Sequence, residues 1–208
     1  MPNWCSTALV VEGNKKDLDK FKNTLSVNAS EPVFQFSQIF PMPKDLSTIL
    51  TGFTHIDGKR VKCWRNIDGK QVCVSDMELK ELKKKYGNSN WYDWAIDNWG
   101  TKWDVCDSKI ITETKTKIQI NFRTAWSPPT AWADKASCMF PDLSFKLAYS
   151  ECVASFYGST TFMNGNTQNV EKFECEWDED EDPDSDDEDK PSTEWQKYMD
   201  KYSLNMGG

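Results

Sequence analysis

The sequence predicts an α+β protein built on a ferredoxin-like antiparallel sheet, with its helices on one face of the sheet. Two observations lead to this prediction. Short β-rich runs and amphipathic stretches follow one another in the order β-α-β, insertion, helix, β-β-α-β-β, so that helices are separated by adjacent strand pairs. The 208 residues, with 13% aromatic and 28% charged side chains, are also enough to bury one substantial core in a globular domain.

The N-terminal elements are a strand, a helix and a second strand. Residues 7–11 are rich in β-branched and apolar residues and predict a strand. Asn14 is suited to cap the following helix, in which Leu18, Phe21 and Leu25 recur at helical spacing. Apolar and polar residues largely alternate over residues 33–40, which predicts a strand. The strand should end at the Pro-Met-Pro sequence that follows.

An insertion spanning about residues 44–86 contains two Asp-Gly turns. Asp57-Gly58 and Asp68-Gly69 each stand between β-rich runs, and Asp-Gly favours two-residue hairpin turns because glycine accepts a positive φ. We therefore predict a small three-stranded meander at about 51–56, 59–67 and 70–74, followed by a polar helix at 78–86. Cys63 and Cys73 flank the second turn and are candidates for a disulfide or half of a metal site, but no second Cys/His pair completes a zinc set.

The second half begins with an unusually aromatic helix. Asn90 and Gly100 have the residue types expected at the N-cap and at the C-terminal end of a helix over 91–99. The elements expected after it are strands at 102–107 and 115–123, a helix from Ser127 as N-cap to about Met139, and strands at 145–150 and 153–162. We place the end of the ferredoxin-like domain at residue 163.

Residues 164–208 form a predicted acidic tail. Residues 174–189 hold twelve acidic residues and no basic one, which leaves 25 basic against 21 acidic residues in the rest of the chain. Such a density of like charge opposes packing, so we expect the tail to be largely disordered, with a short helix at 193–202. No apolar run approaches membrane-spanning length and no secretory signal is visible, so we expect the protein in the cytoplasm of the host cell, without a membrane partner.

Several motifs together carry a family resemblance. They are Met1-Pro2-Asn3-Trp4-Cys5, Asn90-Trp91-Tyr92-Asp93-Trp94, Asn98-Trp99-Gly100-Thr101-Lys102-Trp103, Phe122-x-Thr124-Ala125-Trp126-Ser127-Pro128-Pro129, and Tyr149-x-Glu151 with Phe156-x-Gly158. In these motifs, over roughly residues 1–160, the sequence resembles the YubB-type ferredoxin-like domain family of phages and conjugative plasmids. The resemblance implies a ferredoxin-like fold and a mobile-element origin. That family is a domain of unknown function, so the resemblance implies no site residue.

Aromatic and basic residues are the candidates for a binding site. Indole rings could form a stacking platform for nucleic-acid bases, could make up the core under the sheet, or could be half-buried with their edges lining a groove. The candidate binding residues are Trp91, Tyr92, Trp94, Trp99, Lys102, Trp103, Arg123 and Trp126.

The sequence contains few residues arranged in a pattern typical of a catalytic site. The one histidine, His55, stands beside a turn, and no glycine-rich phosphate loop or nucleophile–histidine pair is evident. We therefore predict no catalytic residue, no cofactor and no metal. One alternative is a Mg²⁺ or acid/base cluster made by the carboxylates of Asp93, Asp97, Asp104, Asp107 and Glu151.

The sequence-based hypothesis is a non-catalytic phage or mobile-element protein that antagonises a host defence factor by binding or sequestering a protein or nucleotide ligand. The partner would be either a basic surface of a host protein or a small nucleotide. The residues expected to contact a host protein are Glu176, Trp177, Asp178, Glu179 and Asp180 in the tail. The alternative is a nucleic-acid-binding protein or a carboxylate–metal nuclease. The oligomeric state stays open.

Overall fold

The computed structural model of the chain describes residues 3–25, 33–178 and 190–204, and within 177–178 and 190 only the backbone. The strands are β1 (Trp4–Glu12), β2 (Leu50–Ile56), β3 (Lys59–Ile67), β4 (Lys70–Cys73), β5 (Cys106–Glu113), β6 (Lys117–Ala125), β7 (Ser144–Glu151), β8 (Phe156–Met163), β9 (Asn166–Glu174), β10 (Trp177–Asp178) and β11 (Lys190–Pro191). The helices are α1 (Lys15–Thr24), α2 (Lys44–Ser47), α3 (Asp76–Tyr86), α4 (Trp91–Trp99), α5 (Thr130–Met139) and α6 (Thr193–Tyr202).

Six strands form the main sheet in the order β5-β6-β1-β7-β8-β9, and every neighbouring pair is antiparallel. Along the chain, β1, α1, β5, β6, α5 and β7 follow the β-α-β-β-α-β order of a ferredoxin-like fold. The β8–β9 hairpin extends the sheet beyond β7. The predicted α+β, ferredoxin-like class is therefore confirmed.

The larger core lies under the face of the sheet that α1 and α5 cover. Leu9 and Val11 of β1 alternate with Ala8 and Val10, so that the first pair enters this core and the second pair enters a smaller one on the opposite face. Aromatic rings and aliphatic side chains both contribute to the larger core. Its fully buried aromatic side chains are Phe21, Phe34, Phe36, Trp132 and Phe145.

The opposite face of the sheet is covered by α6. Trp195 and Met199 of this helix are buried against Ala8 and Val10 of β1. The helix has the range predicted from the sequence, but it is packed into the fold. Helices therefore cover both faces of the sheet, and the prediction that they lie on one face needs this correction. The sheet itself continues through β9, so residue 163 is a strand end within the sheet.

Two stretches predicted as strands have another structure. Residues 33–40 contain a 3-10 turn at Phe36–Gln38, which Asp104 holds by accepting hydrogen bonds from the backbone N–H groups of Phe36 and Ser37. The alternating apolar residues Phe34 and Phe36 are buried in the core, although this segment does not pair with a strand among the described residues. The strand predicted at 102–107 begins only at Cys106, because the residues before it lie in a loop.

The predicted meander is confirmed as a separate three-stranded sheet, in the order β2-β3-β4. Both Asp-Gly turns have positive φ at both residues, at 49° and 76° for Asp57 and Gly58, as the hairpin type requires. Cys63 and Cys73 are free thiols, and Cys63 is buried in the larger core.

Candidate functional site

The aromatic helix α4 begins and ends where the sequence predicts. The side-chain oxygen of Asn90 accepts a 3.0 Å hydrogen bond from the backbone N–H of Asp93. Gly100 ends the helix with φ 84° and donates its N–H to the carbonyl oxygens of Ala95 and Ile96. An ideal Cβ on Gly100 would lie 3.1 Å from the backbone nitrogen of Ala131, a contact tighter than most side chains make, and the positive φ also favours glycine at this position.

Two of the four candidate residues on α4 belong to the core. Trp94 and Trp99 are buried and meet edge to face at 5.3 Å between ring centroids. The indole Nε1 of Trp99 donates a 3.0 Å hydrogen bond to the carbonyl oxygen of Phe40. Trp91 and Tyr92 are half-buried and contact each other edge to face. The core alternative therefore holds for Trp94 and Trp99, which cannot reach a ligand.

The four remaining candidates, Lys102, Trp103, Arg123 and Trp126, meet Trp4 at one end of the sheet, and we call these five residues the aromatic–basic patch. The Lys102 ammonium lies 4.6 Å from the centroid of the Trp103 ring and 4.7 Å from that of Trp126. Trp103 is 37% exposed and Trp126 is 42% exposed. Two partly exposed indoles thus share one cation, an arrangement stabilised by the electrostatic attraction between a cation and an aromatic face.

Arg123 joins the patch from β6. Its guanidinium lies 5.2 Å from the ring centroid of Trp4 and also forms an ion pair with Asp107. Trp4 in turn lies 6.2 Å from Trp103. Trp4 is not among the candidates chosen from the sequence. No local sequence signal identifies it, because Trp4 reaches the patch through the pairing of β1 with β6, in which it lies opposite Ala125, next to Trp126.

Hydrogen bonds between three chain segments fix the position of the patch. The backbone N–H of Trp126 donates to the carbonyl oxygen of Asn3 at 2.9 Å, and the Thr101 hydroxyl donates to the carbonyl oxygen of Ala125 at 2.9 Å. The Ser127 hydroxyl donates to the carbonyl oxygen of Gly100 at 2.7 Å. Ser127 is therefore not the N-cap predicted from the sequence. The helix α5 begins at Thr130 after Pro129, and Ser127 ties the Lys102 loop to the Trp126 loop.

The backbone of Trp126 lies in the left-handed region, with φ 68°. This conformation is unfavourable for a bulky side chain with a Cβ, and it persists only where the surroundings enforce it. Here the enforcing contacts are the hydrogen bonds to Asn3 and between the two loops. The strained turn projects the indole of Trp126 toward Lys102 and solvent.

A groove of about 620 Å³ opens beside the patch, between the start of α5 and the β8–β9 hairpin. Gly100 and Ser127 of the patch loops line one end of it. Tyr149, Phe156 and Phe162 supply apolar walls, and Lys172 is a cation on its rim. The patch and the groove together offer exposed aromatic rings, positive charge and adjoining apolar volume.

The five carboxylates considered for a metal cluster are each engaged separately. Asp104 accepts from backbone N–H groups, Asp107 pairs with Arg123, and Glu151 accepts from the N–H of Val153 at 3.1 Å. Asp93 and Asp97 accept from side-chain amides of neighbouring asparagines. Within the described ranges, no three His, Cys, Asp or Glu side chains come together as metal ligands would.

The proposed contact residues of the acidic segment are described only in part. Glu176 is exposed, and Trp177 and Asp178 form the two-residue strand β10, whose backbone pairs with that of Lys190 and Pro191. Glu179 and Asp180 lie outside the described residues. Their role in partner binding stays a prediction.

The geometry defines a ferredoxin-like domain protein with an exposed aromatic–basic patch at one end of its sheet. Residues 98–191 match the family model described as the ferredoxin-like domain in Api92-like protein. This match runs from the end of α4 to β11 and contains four of the five patch residues. The chain therefore carries a ferredoxin-like domain similar to that of Api92-like proteins.

A solved structure with the same fold is the crystal structure of the protein api92 from Yersinia pseudotuberculosis. It superposes with a TM-score of 0.51 at 10% sequence identity, covering 83% of this chain and 98% of that one. Such a distant likeness concerns the fold alone. No curated protein matches the sequence. Among the helices of the described residues, none is long and apolar enough to cross a bilayer.

Proposed function

We propose that the protein is a non-catalytic binding protein whose aromatic–basic patch holds the base of a small nucleotide. The observation that supports this most directly is the Lys102 ammonium between the partly exposed rings of Trp103 and Trp126. Stacking of a base on an aromatic side chain contributes roughly 1–3 kcal/mol, and any base can stack because each has a π-face.

The lysine cation between the two rings favours a nucleotide, which carries a negative phosphate, over an apolar ligand. Lysine carries its charge on a flexible four-carbon stem. A base that stacks on Trp103 or Trp126 would displace the ammonium, which can then follow the ligand's phosphate. Arg123 is less available for this role, since its charge is shared with Asp107. The adjoining groove gives room for the remainder of the ligand.

The biological setting of this proposal comes from the YubB-type resemblance. We propose that the chain is a phage- or plasmid-borne protein and that it antagonises a host defence factor by sequestering that factor's nucleotide. The rival proposal, in which the acidic segment occupies a basic surface of a host protein, depends on residues such as Glu179 and Asp180. The carboxylate–metal nuclease has less support, because each of the five carboxylates considered for a metal cluster already accepts separate hydrogen bonds.

Isothermal titration calorimetry with AMP, GMP, CMP and UMP tests the proposal. We expect at least one nucleotide to bind, with affinity reduced about tenfold or more in both Trp103→Ala and Trp126→Ala, the equivalent of about 1.4 kcal/mol. Lys102→Gln should weaken the nucleotide more than the matching nucleoside. Chromatography after incubation should recover the nucleotide unchanged.

Trp91→Ala is the matched control, because Trp91 is a half-buried tryptophan of the same segment that lies outside the patch. Circular dichroism of each variant checks that the fold is kept. The proposal is wrong if none of the four nucleotides produces heat, or if Trp103→Ala and Trp91→Ala bind the nucleotide equally well.

A further inference from the structure

The β2–β4 meander turns one of its faces away from the body of the protein. On β3, Cys63 is buried in the core and Arg65 pairs with Glu78 of α3, so the odd-numbered side chains point inward. Successive side chains of a strand alternate between the two faces. Arg60, Lys62 and Trp64 therefore share the outer face.

A β-bulge adds an aromatic ring to this outer face. Thr51 pairs with Cys63 and Thr54 pairs with Val61, which leaves Gly52 and Phe53 together opposite Lys62. Gly52 has φ 137°, a conformation that glycine adopts without penalty.

Because of this bulge, Phe53 lies beside Arg60 instead of facing the body. The Arg60 guanidinium stands 3.7 Å from the centroid of the Phe53 ring, and the ring is 66% exposed. Trp64 lies across the bulge, since a Cβ on Gly52 would be 3.4 Å from its Cη2 atom. His55 completes the outer face, because it pairs directly with Arg60.

The charges of the meander are unbalanced. Residues 50–73 contain five basic side chains and two acidic ones, and both acids, Asp57 and Asp68, lie in the hairpin turns. Arg65 forms an ion pair with Glu78. Within the described part of the chain, the other four bases have no carboxylate within ion-pair distance; they are Lys59, Arg60, Lys62 and Lys70. Cations without a carboxylate partner beside the exposed ring of Phe53 and the half-buried ring of Trp64 resemble the surface of a protein that binds single-stranded nucleic acid.

We infer that this outer face, made of Phe53, His55, Arg60, Lys62 and Trp64, binds single-stranded nucleic acid. Arg60 and Lys62 contact phosphates, and Phe53 and Trp64 stack on bases. A single strand fits better than a duplex because the bases of a duplex are paired and stacked, so they cannot stack on the aromatic side chains of this face. The face goes beyond the proposed nucleotide site and shares no residue with it.

The meander suits mutational analysis because it forms its own sheet. No strand of the six-stranded sheet pairs with β2, β3 or β4 among the residues described. Phe53, Arg60 and Lys62 are exposed. Substitutions at these three positions should therefore leave the core and the aromatic–basic patch intact.

Fluorescence anisotropy with a labelled oligothymidylate of about twenty nucleotides tests the inference on the full chain at several salt concentrations. Counterion release on single strands gives a negative slope of log affinity against log salt, with a magnitude of about 0.7 per phosphate contact. The double variant Arg60→Ala/Lys62→Ala should weaken binding tenfold or more and reduce that slope by about 1.4. Phe53→Ala should weaken binding with little change in slope, because it removes stacking and not charge.

The matched control is Lys80→Ala/Lys84→Ala, which removes the same charge from exposed positions of α3. Binding that falls as much in this control as in Arg60→Ala/Lys62→Ala would overturn the inference. So would preference for a duplex of the same length, or binding to anionic lipid vesicles with none to the oligonucleotide. Arg60→Ala/Lys62→Ala should keep the wild-type affinity for a mononucleotide, so failure of the nucleotide proposal and failure of this inference can be told apart.

Discussion

The indole Nε1 of Trp195 donates a 3.0 Å hydrogen bond to the hydroxyl oxygen of Ser150, between α6 and β7. Trp195 is fully buried, and its ring stacks on that of Tyr157 at 6.4 Å between centroids. At the other end of α6, the carbonyl oxygen of Tyr202 accepts a 2.9 Å hydrogen bond from the Gln119 side chain. The C-terminal helix is thus bound to the sheet at both ends.

We expect α6 to contribute strongly to stability through Trp195. Replacing a buried tryptophan by alanine costs about 3–5 kcal/mol, and Ser150→Ala should cost about 1–3 kcal/mol because it removes the hydroxyl that accepts from the buried indole N–H. Urea denaturation followed by circular dichroism measures both. The exposed Lys197→Ala on the same helix should change the free energy of unfolding by less than about 0.5 kcal/mol. A Trp195→Ala loss as small as that of Lys197→Ala would contradict this role.

The positive φ of Trp126 predicts an unusual order of stabilities. A residue with a Cβ pays roughly 1–2 kcal/mol in the left-handed region, and glycine does not. Trp126→Gly should therefore be about 1 kcal/mol more stable than Trp126→Ala, although glycine normally destabilises a folded chain. The difference in the free energy of unfolding is measured from the denaturant midpoints of the two variants, provided that their m-values are equal. Equal stability, or a more stable alanine variant, would show that the backbone strain is absent.

The buried Cys5 thiol predicts a loss of stability at alkaline pH. Burial raises the pKa of Cys5 from 9.0 to about 12, against the smaller opposing effect of the Thr7 hydroxyl. Between these two values the unfolded chain loses the thiol proton and the folded chain keeps it, so the free energy of unfolding falls as pH rises. One pH unit above the unfolded pKa, this contribution amounts to about 1.4 kcal/mol.

The experiment compares wild type with Cys5→Ala by urea denaturation at pH 8 and pH 10. We expect the wild type to lose about 1.4 kcal/mol more than the variant between these two pH values. Burial also raises the pKa of Tyr198, so both proteins share a further alkaline loss that cancels in the comparison. Identical losses in the two proteins would mean that Cys5 ionises as easily in the fold as in the unfolded chain.

Elements governed by neighbours in sequence were predictable. The meander turns occur where Asp-Gly occurs, because their positive φ values are a local property of those residue pairs. Likewise α4 runs from its Asn90 cap to Gly100, since both ends are fixed by hydrogen bonds within a few residues. The strand expected at 33–40 was wrong because Asp104, about 70 residues away, supplies the hydrogen bonds there.

The candidate site could be predicted only in part, because only some of its interactions are between neighbours in sequence. The sequence identifies aromatic and basic residues, but helical spacing alone cannot distinguish the buried Trp94 and Trp99 from exposed rings. The exposed indoles, Trp103 and Trp126, lie in loops. Loops have no helical or strand periodicity that would indicate which side chains are exposed. Trp4 escapes prediction because it reaches the patch only through the pairing of β1 with β6.

From the sequence alone follow the α+β class, the meander, the capped aromatic helix and the segregation of acidic charge, because each depends on local backbone preferences or on composition. Only the tertiary structure decides that α6 closes the second face of the sheet, that Lys102 lies between two indoles, and that the Gly52 bulge brings Phe53 beside Arg60. These three outcomes depend on strand register and on contacts between distant segments, which the local sequence does not encode.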